Sequence, residues 1–326
     1  MQKSSLRLHF GMALLALVVA GGALAQSAYP ARPIRFIVPF PPGGAADAVA
    51  RMVGQEMAKT FGQQVVVENR GGGGGTIGVG AGVRSAPDGY TIFLATTASV
   101  AINPMFMSKP PYDSIREITP ISLLAVSPLL VVVPAASPIK TLQELIAAAR
   151  ANPGSISYGT AGTGTPHHLA GELLNQMFGV KLNHVPYKGS APAAIDLVAG
   201  QIPAAIIDVT SIITQVRGGR ARALASLGAK RTAAAAEVPS MEEAGVQNFD
   251  MAGWFMLGAP AGTPREIIVK LNQEVVRILA LPEIRERFIA SGNEARSKSP
   301  EEMVVFIRGE VDKWSRVVKA SGATLN

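Results

Sequence analysis

Apolar residues along this chain follow two alternating rhythms. Short runs rich in β-branched residues and bounded by Gly, Pro, Asn or Asp read as strands. They fall at Ile34–Phe40, Val65–Glu68, Thr91–Ala95, Ile118–Ala125, Leu129–Val133, Ile156–Gly159, His184–Tyr187, Ala204–Asp208, Ala223–Ser226 and Phe255–Ala259. Between them lie helical patterns at Ala46–Phe61, Thr76–Ser85, Thr141–Ala151, Pro166–Phe178, Ala191–Ala199 and Ser211–Gly218. Three further helices, Pro264–Leu279, Pro282–Ser291 and Pro300–Ser321, close the chain. The last has the firmest pattern: Met303, Phe306, Ile307, Val311, Trp314, Val317 and Val318 recur at helical spacing with charges between. Thr141 with Glu144 predicts a capping box. Ser127-Pro128 reads as a break between two strands. Strands alternating with helices predict α/β lobes with largely parallel sheets and helices on their faces.

Two places break this rhythm in the same way. At IRFIVPFPPGGAAD (34–47) an apolar strand passes through prolines and glycines straight into a helix. At ISYGTAGTGTPHHLAGE (156–172) the pattern recurs, with Thr165 as N-cap and Pro166 at the first helical position. A helix start leaves backbone N–H groups unpaired, and with the helix dipole these suit an anion. Glycines strip side chains from the approach. Thr160, Thr163 and Thr165 add hydroxyls, and His167 and His168 fall in the first turn. Two such mouths predict a ligand held between two lobes. Asp47 stands in the first turn of its helix, where it either satisfies N–H groups or selects a ligand amino or hydroxyl group. Asp208 is open to the same two readings; at a strand's C-terminal end it would point into an inter-lobe crevice.

Other chemistry is thinly represented. Gly71–Gly75 lacks the Gly-Lys-Ser/Thr of a phosphate loop. There is no Gly-x-Ser-x-Gly elbow and no His-Glu-x-x-His pair. His168 and Glu172, at i and i+4, do not make a metal site alone, so neither metal nor cofactor is expected. An enzyme acting on small acids would have to draw its general base from His168 or Asp208.

The ends and composition set the compartment. Lys3 and Arg7, the apolar stretch Phe10–Val19 and Ala23-Leu24-Ala25 read as a cleavable signal peptide over 1–25, with Gln26 the mature start. The chain has 326 residues and no cysteine, which excludes disulfides, thiolate metal sites and a Cys nucleophile. Losing Lys3 and Arg7 lowers the formal charge from +7 to +5. The basic residues are scattered, so nucleic acid is a poor partner, while a mild positive field favours an anionic ligand.

The ordered set Tyr29-Pro30, Arg32-Pro33-Ile34, PFPPGG (39–44) with Asp47, VVVENR (65–70), PDGYT (87–91), INP (102–104), YGTAGTGTPHHLAGE (158–172), HVPYKGSAPA (184–193), GWF (253–255) and APAGTP (259–264) resembles the Bug family. These are TctC-like extracytoplasmic receptors of tripartite tricarboxylate transporters. The resemblance covers nearly all of the mature chain. It implies a type II periplasmic binding protein fold, two α/β lobes joined by two crossing strands with the ligand cleft between them. The lobes are expected at 26–125 with 228–326, and at 126–227. It implies a small carboxylate ligand and a membrane permease as partner, for a periplasmic protein expected to be a monomer and not an enzyme; a sensor role remains the alternative. Carried over, the ligand-binding positions are Phe40, Gly43, Gly44, Ala45 and Asp47; Thr96, Thr97 and Ala98; Thr160, Ala161, Gly162, Thr165 and His168; and Asp208. Two stretches depart from the family pattern: the five-glycine run, and Ile206-Ile207-Asp208, where an aromatic often precedes the acid.

Overall fold

Strand β1 (Ile34–Val38) is buried along almost its whole length and pairs in parallel with β2 (Val65–Asn69) and β3 (Thr91–Thr96). The computed structural model of the protein describes residues 29–107 and 109–322. The expected signal peptide over 1–25 lies outside the described residues.

Two strands tie the molecule together. β4 (Ile118–Pro134) pairs with β9 (Ala252–Pro260) through Pro128, then with β7 (Ala204–Asp208) from Leu129 and with β8 (Ala221–Ser226) from Leu130. One sheet runs β2-β1-β3-β9-β4; the other holds β4, β7, β8, β5 (Ser157–Thr160) and β6 (Asn183–Pro186). The expectation of largely parallel sheets needs one refinement. β9 runs antiparallel in the first sheet and β4 in the second. Each is the strand arriving from the other lobe, so each must run against its neighbours. A two-residue strand, β10 (Glu294–Ala295), adds a further antiparallel pair to β4.

The expected break at Ser127-Pro128 is not there: β4 is one strand of 17 residues. Proline lacks a ladder donor and belongs at edges or irregularities. Pro128 sits where β4 leaves β9 and takes up β7, a point at which the ladder changes partner anyway.

The helices cover the faces. α1 (Ala45–Phe61) and, after β9, α7 (Arg265–Ala280) and α8 (Pro282–Ala290) bury Val49, Val53, Leu271, Val275 and Phe288 against the first sheet. α2 (Thr76–Val83) and α3 (Leu142–Ala151) join the larger shared core with α4 (Pro166–Phe178). α5 (Ser190–Val198) and α6 (Val209–Arg217) pack on the second sheet through Leu197 and Ile212. The closing helix α9 (Pro300–Ser321) buries Met303, Ile307 and Trp314, as its spacing predicts, and rests on α4 as well as β4. Each of these side chains contributes about 1.5–3 kcal/mol of burial.

The caps show how local signals play out. Thr141 Oγ1 accepts the Glu144 N–H at 3.1 Å, but the Glu144 carboxylate turns to the Lys140 N–H at 2.6 Å, one residue before the cap. The full reciprocal box forms at Ser299 and Glu302 instead.

Candidate functional site

The loop after β1 is held from inside lobe 1. Gly43 adopts φ +88°, which favours glycine, and its N–H donates to Asp47 Oδ2 at 3.1 Å. Asn69, at the end of β2, donates to the Phe40 carbonyl and to Asp47 Oδ1, each at 2.9 Å. Arg51 donates to both Asp47 oxygens at 3.0 Å. Burial pushes the Asp47 carboxyl up, but the hydrogen bonds from Arg51, Asn69 and Gly43 outweigh it and hold the group below its ordinary value. The result is a rigid loop delivering Gly44, Ala45 and Ala46 to the start of α1.

Three helix starts of the other lobe face that one. Thr165 caps α4 by accepting the His168 N–H at 3.4 Å and anchors itself by donating to the Gly162 carbonyl at 2.6 Å. α5 begins after Gly189, and α6 begins at Asp208, its N-cap. The lobes meet: a Cβ on Gly43 would stand 3.8 Å from that of Ala191, and one on Gly44 would stand 4.0 Å from Ser211 Oγ. The four helix starts border one cleft, with about 550 Å³ of empty space counting its mouth.

The floor of the cleft comes from the crossing strands. Ser127 and Leu129 of β4 and Gly253, Trp254 and Phe255 of β9 line it, with Thr96, Thr97 and Ala98 at the end of β3. Thr97 Oγ1 accepts the Trp254 N–H at 2.9 Å and locks the two strands in register there. After β3 the chain makes a π-helical turn, Ala98–Ile102, which periodicity did not foresee.

Of the residues singled out in the sequence, Phe40, Gly44, Ala45, Thr96, Thr97, Ala98, Ala161, Thr165 and Asp208 stand on the cleft wall. Gly43, Asp47, Thr160, Gly162 and His168 do not. Gly43 and Asp47 bond each other behind the loop. Thr160 Oγ1 is paired with His184 Nε2 at 2.6 Å, and Gly162 donates to Thr160 Oγ1 at 3.1 Å. His168 stacks on His184 with ring centroids 4.0 Å apart. Burial lowers the pKa of His168, and burial together with His168 pushes His184 down to about 3. These two rings are a neutral packed pair inside lobe 2.

His167, not His168, reaches the cleft. Its Nε2 lies 3.5 Å from Asp208 Oδ1 and 3.5 Å from Ser190 Oγ, while its buried Nδ1 has no partner among the described residues. Ser211 donates to Asp208 Oδ2 at 2.8 Å. Burial pushes the Asp208 carboxyl up, but the bonds from His167, Ser211 and Ser190 prevail and hold it below its ordinary value. Among the described residues the ionisable ones on the wall are His167 and Asp208, and neither Lys nor Arg lines the cleft. Negative charge entering it therefore meets main-chain amides and hydroxyls. Sequence reasoning missed the α5 start, although Val185-Pro186 leading through Gly189 into a helix repeats the strand–glycine–helix signal.

Comparison with known proteins agrees with this architecture. Residues 49–323 match the TctC model, described as the tripartite tricarboxylate transporter family receptor. BugT of Bordetella pertussis is 38% identical over 312 residues, 95% of this chain and 96% of BugT. An R. palustris protein solved with adipate superposes with a TM-score of 0.88 at 34% identity, covering 91% of this chain and 100% of that one. MatC from Rhodopseudomonas palustris, with bound malate, gives 0.84 at 30% identity over 89% of this chain and 100% of its own. The family match spans most of the chain and the relatives span nearly all of it, so the chain belongs to the TctC family of tripartite tricarboxylate transporter receptors.

Proposed function

We propose that this protein is a periplasmic receptor that closes its two lobes on a small carboxylate and delivers it to the permease of a tripartite tricarboxylate transporter. One observation carries the reading: four helix starts, from both lobes, border a cleft that among the described residues has no Lys or Arg. Helix-start amides favour an anion by about 0.3–1 kcal/mol each through the dipole, and more where partly buried. The relatives solved with adipate and with malate support the ligand class. Gly44, Ala45, Thr96, Thr97, Ala98, Ala161 and Thr165 are the proposed contacts, with Phe40 as an apolar wall. Gly43, Asp47, Thr160, Gly162 and His168 shape the loops behind them. Ligand bridging both lobes favours the shut form, which is a population shift.

The site is proposed to bind without reacting. A serine–histidine–aspartate relay needs serine and aspartate on opposite ring nitrogens. Here Ser190 and Asp208 both face His167 Nε2. Residues 1–25 are proposed as a cleaved signal peptide and the protein as a monomer. Among the described residues no helix is long and apolar enough to cross a membrane. The lobes are proposed at 26–125 with 228–326, and at 126–227. Ala234, Ala235 and Val238 share a core cluster with Leu130, Leu197 and Ile212, which supports carrying the second boundary to the start of β9.

The test is a thermal-shift and calorimetric screen over organic acids, with each hit followed by NMR. A carboxylate that raises the melting point and survives incubation unchanged is expected. At a hundredfold excess over Kd the gain is about 2.7 kcal/mol. Steady conversion of the acid, or binding of no acid at all, overturns the proposal.

A further inference from the structure

The cleft wall sorts its chemistry. Apart from helix starts and hydroxyls it is apolar, with Phe40, Leu129, Trp254 and Phe255 as its large side chains. Against this background Asp208 is out of place. It is the N-cap of α6, yet its side chain caps no N–H of that helix. An N-cap aspartate ordinarily accepts one from the second or third helical residue. Asp208 is turned instead to Ser211 and His167.

That arrangement fixes a proton. A carboxylate only accepts, and Nε2 lies 3.5 Å from Asp208 Oδ1, so the ring turns a hydrogen-bearing Nε2 toward Asp208. In a neutral imidazole the other nitrogen is then a lone pair. His167 Nδ1 is that atom: it has no partner, and its residue is 7% exposed on the cleft wall. Ser127 Oγ, on the same wall and 1% exposed, is also unpartnered. A buried acceptor without a donor costs free energy, which a suitable ligand group recovers. A second carboxylate brought to this end would meet the Asp208 charge with no cation on the wall to offset it.

Granted the receptor function proposed above, we infer that the preferred ligand is a monocarboxylate whose apolar body carries a hydrogen-bond donor, a hydroxyl or an amino group. Helix-start amides take its carboxylate, and the Asp208–His167 pair reads its donor. Asp208 and His167 are thus specificity residues of the cleft. An imidazolium at His167 would turn Nδ1 into a donor and favour a second carboxylate, and the dicarboxylates in the test read that case.

The experiment is calorimetry on the mature chain with two matched sets. One is hexanoate, omega-hydroxyhexanoate, omega-aminohexanoate and adipate. The other is benzoate, para-hydroxybenzoate, para-aminobenzoate and terephthalate. In at least one set a donor-bearing acid is expected to bind about tenfold or more tighter than both the parent and the dicarboxylate. The hydroxy and amino arms tell the two donors apart. Asp208→Asn is expected to erase that advantage, bringing the donor-bearing acid and its parent within about threefold of each other. His167→Phe, which keeps the ring volume and removes both nitrogens, serves if Asp208→Asn does not fold. Dicarboxylates binding tightest, no gain from a donor, or an advantage that survives the variant overturns the inference and leaves carboxylate capture standing. Binding of no acid in either set overturns both.

Discussion

Asp47 shows what one side chain does when its surroundings are known. From position alone it serves equally as a cap or as a ligand selector. Asn69, which comes from a strand 22 residues further along, donates to it and supports the structural role. With Arg51, Asn69 and the Gly43 amide all donating to it, Asp47 is committed to the loop and stands off the cleft wall. Asp47→Asn should cost about 1–3 kcal/mol at neutral pH, because buried donors lose a charged acceptor. It should weaken every acid by a similar factor rather than change the order of preference. The folded carboxyl lies below its unfolded value of about 3.9. Its contribution is therefore whole above that pH and is lost as pH falls through the folded value. The gap between wild type and variant should begin to narrow as pH falls below about 4 and should close below the folded value. A gap that persists there, or a changed ligand order, counts against the assignment. The same scale explains the histidines. Two adjacent residues in a first turn carry the same signal, and only packing against His184 draws His168 inward and leaves His167 at the cleft.

At the scale of elements, periodicity was a sound guide where one face is buried and the other is wet. α9 follows its stripe, and both glycine-rich junctions do become helix starts at the cleft. What periodicity could not supply is contact between distant elements, and Trp254 depends on one. Its indole N–H donates to Glu310 Oε2 at 2.6 Å, and the Trp314 indole donates to the same oxygen at 2.9 Å. Phe306 meets the Trp254 ring edge-on with centroids 5.4 Å apart. The cleft wall is thus fastened to the closing helix through one carboxylate shared by the only two tryptophans of the chain. Glu310→Ala leaves two buried indole donors unpaired, at about 1–3 kcal/mol each. Chemical denaturation should show the sum of these losses. Ligand affinity should fall as well, since Trp254 is no longer held, and intrinsic fluorescence should shift in the absence of ligand. An unchanged denaturation midpoint would remove Glu310 from this role.

At the scale of the whole molecule, the central feature is a strand that serves two sheets. Pro128 made β4 read as two strands, because proline normally ends pairing; the structure uses it where pairing changes hands. The crossing sets how the lobes face each other, and no local pattern encodes it. That is why two mouths were legible but Ser127 and Trp254 were not, whereas the α5 start carried a local strand–glycine–helix signal. The crossing also brings Ala191 against Gly43, and Gly189 against Pro41, whose Cδ would stand 3.2 Å from an added Cβ. If the lobes close on the ligand as proposed, these contacts belong to the shut form, so bulk placed there should hold the cleft open. Ala191 is half-buried in the first turn of α5 and outside the core clusters, so a large side chain can swing toward solvent when the lobes part. Ala191→Trp should therefore keep the ligand-free melting point while losing affinity by about a hundredfold, equivalent to about 2.7 kcal/mol of closure. Small-angle scattering should show wild type contracting when a bound acid is added and the variant staying extended. If the variant contracts and binds as wild type does, the two lobes do not grip the ligand together.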